Sequence, residues 1–255
     1  MAAPQLNFKG RIALVTGASR GIGAAVARAL AANGAHLVLA ARTSGALEEL
    51  DDLIKSDARQ LGQLDRLPST LVPMDLKDGD AIDRLGAALF ERFGRLDILI
   101  ANAGVLGPTS PLGHISPRQW DEVMSINLAA NWRLIRALDP LLRRSDAGRG
   151  VFVTSGAASN IRAYWGPYAI SKAALDALVK TYAAELDGTN VKVNLLSPGA
   201  TRTGMRASAF PGEDPNTLPT PEMLLPAFLA LCDPASNRHG EIIRAQDELG
   251  IKPLS

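Results

Sequence analysis

A five-residue apolar run, IALVT at 12–16, passes directly into the glycine turn Gly17-Ala18-Ser19-Arg20-Gly21-Ile22-Gly23 and then into an alanine-rich helical pattern. Glycines let the backbone approach a ligand closely. A helix that starts there adds free N–H groups and the positive end of its dipole, and together these suit a pyrophosphate. The spacing is G-x-x-x-G-x-G rather than the common G-x-G-x-x-G, so taken alone the turn also reads as a tight strand-to-helix connection. The next apolar run, HLVLAA at 36–41, completes a βαβ unit.

Five more short apolar runs follow, at 71–74, 97–101, 151–154, 191–196 and 241–244, mostly separated by segments of helical length. One of those segments carries Leu47, Leu50, Ile54, Ala58 and Leu61 at steps of three and four, an amphipathic stripe for one side of a sheet. Continuous apolar strands joined by helical crossovers imply parallel pairing with both faces covered. The expected fold is therefore α/β, a doubly wound, seven-stranded, parallel Rossmann-type sheet with helices on both faces and right-handed crossovers. With 255 residues, 47% hydrophobic and 21% charged, the chain suits one core, a single domain over 1–255 without linker or repeat. Ser116-Pro117-Arg118-Gln119 is a capping box, and Thr220-Pro221 is expected to open a later helix with the same chemistry. Residues 198–219, with four prolines and three glycines among polar residues, read as a long functional loop or substrate lid.

Composition excludes several partners. Lys and Arg total 27 against 26 acids, so no overall field favours nucleic acid or anionic lipid. Cys232 is the sole cysteine, which excludes an intrachain disulfide and a cysteine-based zinc cluster; no metal is expected, and Cys232 reads as a small core residue. The N-terminal residues lack a secretory apolar stretch, and no run reaches the roughly 18 apolar residues of a spanning helix, so a soluble, cytoplasmic protein with no membrane partner is expected.

The second strand ends Ala40-Ala41-Arg42, where dinucleotide folds that prefer NAD place an acid on the ribose 2′-hydroxyl. No acid stands there. Arg42 and Arg20 instead offer charge-assisted hydrogen bonds to a 2′-phosphate, which favours NADP(H) over NAD(H); the competing reading is two solvated surface arginines. Tyr168 and Lys172 are four residues apart in YAISK, one face of a helix, and Ser155 precedes Tyr168 by thirteen positions, just after VFVT. A free tyrosine with a pKa near 10 is almost wholly protonated at pH 7, and a nearby ammonium favours its phenolate.

Taken together, TGASRGIG, Asp75 after the third strand, ANAG at 101–104, Asn127 in SINL, Ser155, YAISK and PGATRT at 198–203 resemble the short-chain dehydrogenases/reductases in their compact single-domain form, over nearly the whole chain. The stretches RTGMRASAFPGEDP and RSDAG, the latter at 144–148, resemble the YciK-like group of bacterial oxidoreductases within it. The resemblance implies that Gly17, Ser19, Arg20 and Ile22, in the turn with Gly21 and Gly23, hold the phosphates while Asp75 and Leu76 meet the adenine. It places Asn102, Ala103 and Gly104 beside the adenosine ribose, and Pro198, Gly199, Thr201 and Thr203 at the carboxamide. Lys172 would bind the nicotinamide ribose and lower the Tyr168 pKa. Ser155 would bond the reacting oxygen, Tyr168 would act as general acid/base, and Asn127 would position a water leading to Lys172.

Plainer readings remain for some residues. Asn127 on a helix also reads as exposed or bonded to a carbonyl, and Asp75 as a helix N-cap. Tyr164 and Trp165 either line a substrate wall or pack under the loop. Ala101 stands where many members have asparagine, and Asp247-Glu248-Leu249-Gly250 where many have Asp-Gly-Gly, which puts the C-terminal contacts in doubt. The helix after Pro167 is apolar on almost every side, so surface left over from the sheet is expected to form a two-fold subunit interface in a homodimer or homotetramer.

The function expected is an NADP(H)-dependent carbonyl reductase or alcohol dehydrogenase acting on a small-molecule ketone, aldehyde or secondary alcohol. The alternative is an NADP(H)-binding redox-sensing or regulatory protein with incidental turnover. Nucleic-acid binding through Arg143, Arg144 and Arg149 lacks a basic surplus or an aromatic stacking motif.

Overall fold

In the computed structural model, residues 6–62 and 69–251 are described. Seven strands form one parallel sheet: β1 Ile12–Thr16, β2 His36–Ala41, β3 Thr70–Pro73, β4 Ile98–Ala101, β5 Arg149–Val153, β6 Lys192–Ser197 and β7 Ile242–Arg244. Their order is β3-β2-β1-β4-β5-β6-β7. The chain therefore starts in the middle, winds outward to β3, returns to β4 beside β1, and winds outward the other way. Ala13 is in register with both Leu37 and Ile98, so β1 is flanked on each side by a buried neighbour.

The strands alternate their side chains between two cores. Ala13, Val15, Leu37, Leu39, Ile98 and Ile100 face one side. There they meet α1 (Gly21–Ala32) through Val26 and Leu30, α2 (Ser44–Gln60) through Leu47, Leu50 and Ile54, and Phe228 and Cys232 of a later helix. Leu14, Val38, Ala40, Leu99 and Phe152 face the other. There they meet α3 (Gly79–Phe93) through Ile82 and Leu85, and also Leu134, Leu138, Leu175 and Val179. Both residues of each alternating pair are apolar because both faces are covered. Leu61, the last member of the predicted stripe, lies beyond the end of α2 and is exposed.

The remaining helices are α4 Pro117–Met124, α5 Ala130–Leu142, α6 Gly166–Glu185, α7 Gly204–Ala209, α8 Leu225–Cys232 and α9 Ala245–Glu248. The capping box at α4 forms as read: Gln119 N donates to Ser116 Oγ at 3.4 Å, and Ser116 N donates to Gln119 Oε1 at 3.1 Å. Thr220-Pro221 departs from its expectation. It opens a single tight 3₁₀ turn, Pro221–Leu224, with no side-chain cap, and α8 begins only after it. Residues 198–219 are not one irregular loop either. They contain α7, capped by Thr203 Oγ1 accepting from Arg206 N at 3.2 Å, and a second short turn at Pro215–Thr217.

On α6 the sheet side is buried, while Ile170, Ala177, Thr181 and Ala184 form an exposed, largely apolar stripe. Arg149 is 4% exposed and donates to five backbone oxygens, those of Gly148, Asn190, Asp233, Pro234 and Ser236. Arg143 is paired with Asp139, so the three arginines weighed for nucleic acid do not form one open patch. Cys232 is 1% exposed in the first core, and burial pushes its thiol up to about 12, so it is an inert core thiol. No helix among the described residues is long and apolar enough to cross a membrane, and no group of His, Cys, Asp or Glu among them is placed to hold a metal ion.

Candidate active site

The point where the strand order reverses, between β1 and β4, opens a crevice at the carboxyl ends of the strands. A buried threonine holds it. Thr16 Oγ1 accepts from Asn102 N at 3.1 Å and Ala103 N at 3.2 Å, and Asn102 Nδ2 donates to Thr16 O at 3.0 Å and Gly17 O at 3.2 Å. The end of β1 is thereby latched to the end of β4, and the glycine turn is fixed before any ligand arrives. Gly17 has φ +62, and a Cβ on Gly23 would lie 2.3 Å from Gly17 O and 2.6 Å from Asn102 Nδ2. Gly23 is thus a packing glycine behind the turn. It is buried and does not line the crevice.

The crevice has a volume of about 680 Å³. Gly17, Ser19, Arg20, Gly21 and Ile22 line it from the turn, Arg42 from the end of β2, Asp75 and Leu76 from after β3, and Asn102, Ala103 and Gly104 from after β4. On the other side lie Ser155, Tyr168 and Lys172, with Pro198, Gly199, Thr201 and Thr203 beyond β6. The Arg20 and Arg42 side chains make no hydrogen bond or ion pair with any described residue, although both line the crevice. Asp75 is not a helix cap; Asp78 caps α3, and Asp75 accepts from Lys77 N at 3.0 Å.

Ser155 follows β5, and its Oγ accepts from Ala157 N at 3.2 Å, which fixes the hydroxyl at the strand end. Tyr168 and Lys172 lie one turn apart on α6, with the Lys172 Nζ 6.0 Å from the Tyr168 ring centroid. Lys172 Nζ donates to Val153 O at 2.7 Å, and its other two N–H groups have no acceptor among the described residues. The expectation that Lys172 lowers the Tyr168 pKa is not met by the chain alone. Burial pushes the Tyr168 hydroxyl up, opposed by its hydrogen bond with Ser155, because solvent exclusion at this spot disfavours a phenolate more than the neighbouring groups favour it.

Asn127 sits in a π-turn, Ser125–Ala129, between α4 and α5, and is fully buried rather than exposed. Its Oδ1 accepts from Val105 N at 2.9 Å, and its Nδ2 donates to Val105 O at 2.9 Å and Ser171 Oγ at 3.0 Å. It stands behind the crevice wall. A Cβ on Gly104 would lie 3.3 Å from Asn127 Oδ1 and 3.7 Å from Lys172 Nζ, so the bare backbone at Gly104 lies against both groups.

Lys172 is 3% exposed, and burial, opposed by the charge of Asp176, pulls its pKa from 10.5 to about 8. Keeping that ammonium charged at neutral pH costs the folded chain about 3 kcal/mol. The unfolded chain holds the proton up to 10.5 while the folded chain releases it from about 8, so this contribution to stability rises with pH across that window. Lys172→Met is therefore expected to stabilise the cofactor-free protein at neutral pH by about 2 kcal/mol, after loss of one hydrogen bond, and to flatten the pH dependence. Thermal unfolding near pH 7 and near pH 10 checks both; a lower midpoint in the variant at pH 7 contradicts the assignment.

Further side chains complete the crevice wall. Trp165 stands edge-on to Tyr168 with ring centroids 6.0 Å apart and packs on Phe210 at 5.6 Å, which favours the wall reading for Trp165. Tyr164 is exposed and has φ +71. Met205, Arg206, Ser208 and Ala209 of α7 line the crevice, and Leu106 and Ile126 do so from beneath it in sequence. Gln246 Nε2 donates to Ala200 O at 2.7 Å, so the departing C-terminus still supports the 198–203 turn. Ile126 and Gln246 carry no local signal in the sequence, because the fold brings them to the site from far along the chain.

The short chain dehydrogenase family model matches residues 11–214. The chain is 38% identical over 231 residues to the oxidoreductase YciK of Escherichia coli (strain K12), covering 89% of this chain and 88% of that one. It is similar to a solved short chain dehydrogenase from Pseudomonas syringae, at 42% identity and TM-score 0.89, covering 96% of this chain and 98% of that one. It is also similar to a short chain dehydrogenase from Escherichia coli CFT073 solved in complex with NADPH, at 36% identity and TM-score 0.88, covering 96% and 100%.

Proposed function

The chain belongs to the short chain dehydrogenase family of oxidoreductases, and on that premise we propose that it transfers hydride between NADP(H) and a small-molecule carbonyl/alcohol pair, reducing a ketone or aldehyde or oxidising a secondary alcohol. The observation that carries this reading is one crevice with two unpaired arginines on one side and a partly buried Ser155 with buried Tyr168 and Lys172 on the other. The residues fit the nucleotide. The glycine turn lines the crevice at Gly17 and Gly21, where φ of +62 and +57 is a conformation that glycine favours, and Lys172 has two uncommitted donors for ribose hydroxyls. Arg20 and Arg42 would take the 2′-phosphate, Asp75 and Leu76 the adenine, Asn102 to Gly104 the adenosine ribose, and Pro198, Gly199, Thr201 and Thr203 the carboxamide.

When bound, the nicotinamide supplies or accepts the hydride. The chain's own groups handle the proton. Burial keeps Tyr168 protonated, the form that a reduction needs first, and its hydroxyl gives that proton to the substrate oxygen as the oxygen becomes an alkoxide. In oxidation it takes the proton back. Ser155 Oγ donates a hydrogen bond to the same oxygen, and the free lone pair of Asn127 Oδ1 holds a water on the route to Lys172.

Arg20→Ala with Arg42→Ala is expected to weaken NADPH binding about a hundredfold, the loss of two charge-assisted hydrogen bonds, and to change NADH binding by less than about threefold. Calorimetric titration of both nucleotides checks it, and equal losses would sink the NADP(H) preference. The exposed stripe Ile170, Ala177, Thr181 and Ala184 on α6, with half-exposed Trp132 on α5, supports assembly as a homodimer or homotetramer. Sedimentation at micromolar concentration is expected to give one of these, and a monomer contradicts it.

A further inference from the structure

Next to Ser155 and Tyr168, the crevice is walled by side chains with no part in proton transfer or nucleotide binding: Leu106 after β4, Trp165 ahead of α6, and Met205, Arg206, Ser208 and Ala209 on α7. The rings are arranged in series. Trp165 meets Tyr168 at an interplanar angle of 67° and Phe210 at 41°, and the Arg206 guanidinium lies 3.7 Å above the Phe210 ring. The wall beside the reacting hydroxyl is thus aromatic, with Trp165 braced by Phe210.

Charge on this side is already matched. Arg206 donates from Nε to Glu213 Oε2 at 2.5 Å and from Nη2 to Glu213 Oε1 at 2.6 Å, a two-point pair that uses the guanidinium edge. With the nucleotide bound as read above, the other lining cations are taken up: Arg20 and Arg42 by its phosphate, and Lys172 by Val153 O and the ribose hydroxyls. A carboxylate brought against Trp165 would lose its water and find no free cation, whereas an uncharged ring would lose only apolar hydration.

Resting on the hydride-transfer reading of this crevice, we propose that the substrate is an uncharged carbonyl compound bearing an aromatic ring seated against Trp165, and that the Arg206–Glu213 pair discriminates against carboxylated analogues. Trp165 supplies the attraction and the satisfied ion pair the rejection, so specificity is built from both signs. The residues concerned are distinct from those that move the proton, so specificity and chemistry can be altered separately.

The test compares NADPH oxidation with acetophenone, 4-acetylbenzoate and cyclohexyl methyl ketone by the full chain. Wild type is expected to favour acetophenone over 4-acetylbenzoate by about thirtyfold in kcat/KM and over the cyclohexyl ketone by about fivefold. Trp165→Ala should lower kcat/KM for acetophenone more than about tenfold and erase its advantage over the cyclohexyl ketone, with NADPH affinity changed less than about threefold. Glu213→Gln keeps Trp165 in place and uncovers the Arg206 charge, so 4-acetylbenzoate should gain at least about fivefold relative to acetophenone. Equal use of acetophenone and 4-acetylbenzoate by wild type, or an unchanged order in Trp165→Ala, overturns the proposal. Calorimetric titration of 1-phenylethanol and its 4-carboxylate into the NADPH-loaded protein reads the same wall without turnover. A preference of about tenfold or more for the uncharged alcohol there, with no ketone reduced, sinks the hydride-transfer reading and leaves the ligand class standing. Equal binding, or binding of neither, overturns the ligand class itself.

Discussion

Tyr168→Phe is expected to cut kcat about a thousandfold with every carbonyl compound the wild type reduces, while leaving NADPH affinity within about threefold. The ring stays, so packing against Trp165 and the position of α6 are kept; only the hydroxyl goes. That hydroxyl is a buried proton donor beside Ser155, and burial holds it in the protonated form. Ser155 can still donate a hydrogen bond but, as an ordinary alcohol, releases its proton far less readily, so the alkoxide would have to form without proton transfer. Steady-state rates with nucleotide binding measured in parallel check this. A variant that keeps more than about a tenth of kcat shows that another group protonates the substrate. Wild type that binds NADPH but consumes it with no ketone, aldehyde or quinone moves the assignment to an NADP(H)-binding regulatory protein.

The second large effect lies far from the chemistry. Arg149→Ala is expected to destabilise the fold by about 3–5 kcal/mol and to lower the thermal midpoint by about 10 °C. The guanidinium lies at the start of β5 and closes three segments at once: its own strand entry, the residues before β6, and the chain leaving α8. Asp233 O also accepts from Ser236 N, and Gly148 O from Lys192 N, so those two oxygens keep a partner. The oxygens of Asn190, Pro234 and Ser236 have no other donor among the described residues and would be orphaned. The cation also faces the carbonyl end of α8, where the helix dipole favours positive charge. Arg149→Lys keeps the charge but cannot reach all three segments, and about half the loss is expected to remain. A shift below about 2 °C in Arg149→Ala would show that water replaces the guanidinium without penalty.

The seven strands and their parallel pairing were readable because strands covered on both faces are continuous apolar runs, and because the alternation Ala13, Leu14, Val15 feeds two cores through neighbouring residues. The glycine turn was readable for a related reason: only glycine tolerates the φ at Gly17 and the contact at Gly23, so local geometry dictates residue type. The Tyr168–Lys172 spacing follows from helical periodicity. Readings that rested on composition alone fared differently. Thr220-Pro221 has the composition of a helix start, yet the adjacent 3₁₀ turn delays α8 to Leu225. The proline- and glycine-rich residues 198–219 carry a helix because Thr203 caps it and Arg206 grips Glu213.

The sequence by itself determined the sheet, the glycine turn and the family, since these rest on periodicities and conformational preferences that act over a few residues. Only the tertiary structure decided that Asn127 is buried behind the crevice, that Arg20 and Arg42 are unpaired while Arg206 is matched, and that Tyr168 holds its proton while Lys172 is poised to lose one. Those properties depend on which charges meet across the fold and on how much water is excluded. Desolvation is set by the elements that the fold packs around each group, and local sequence does not encode it.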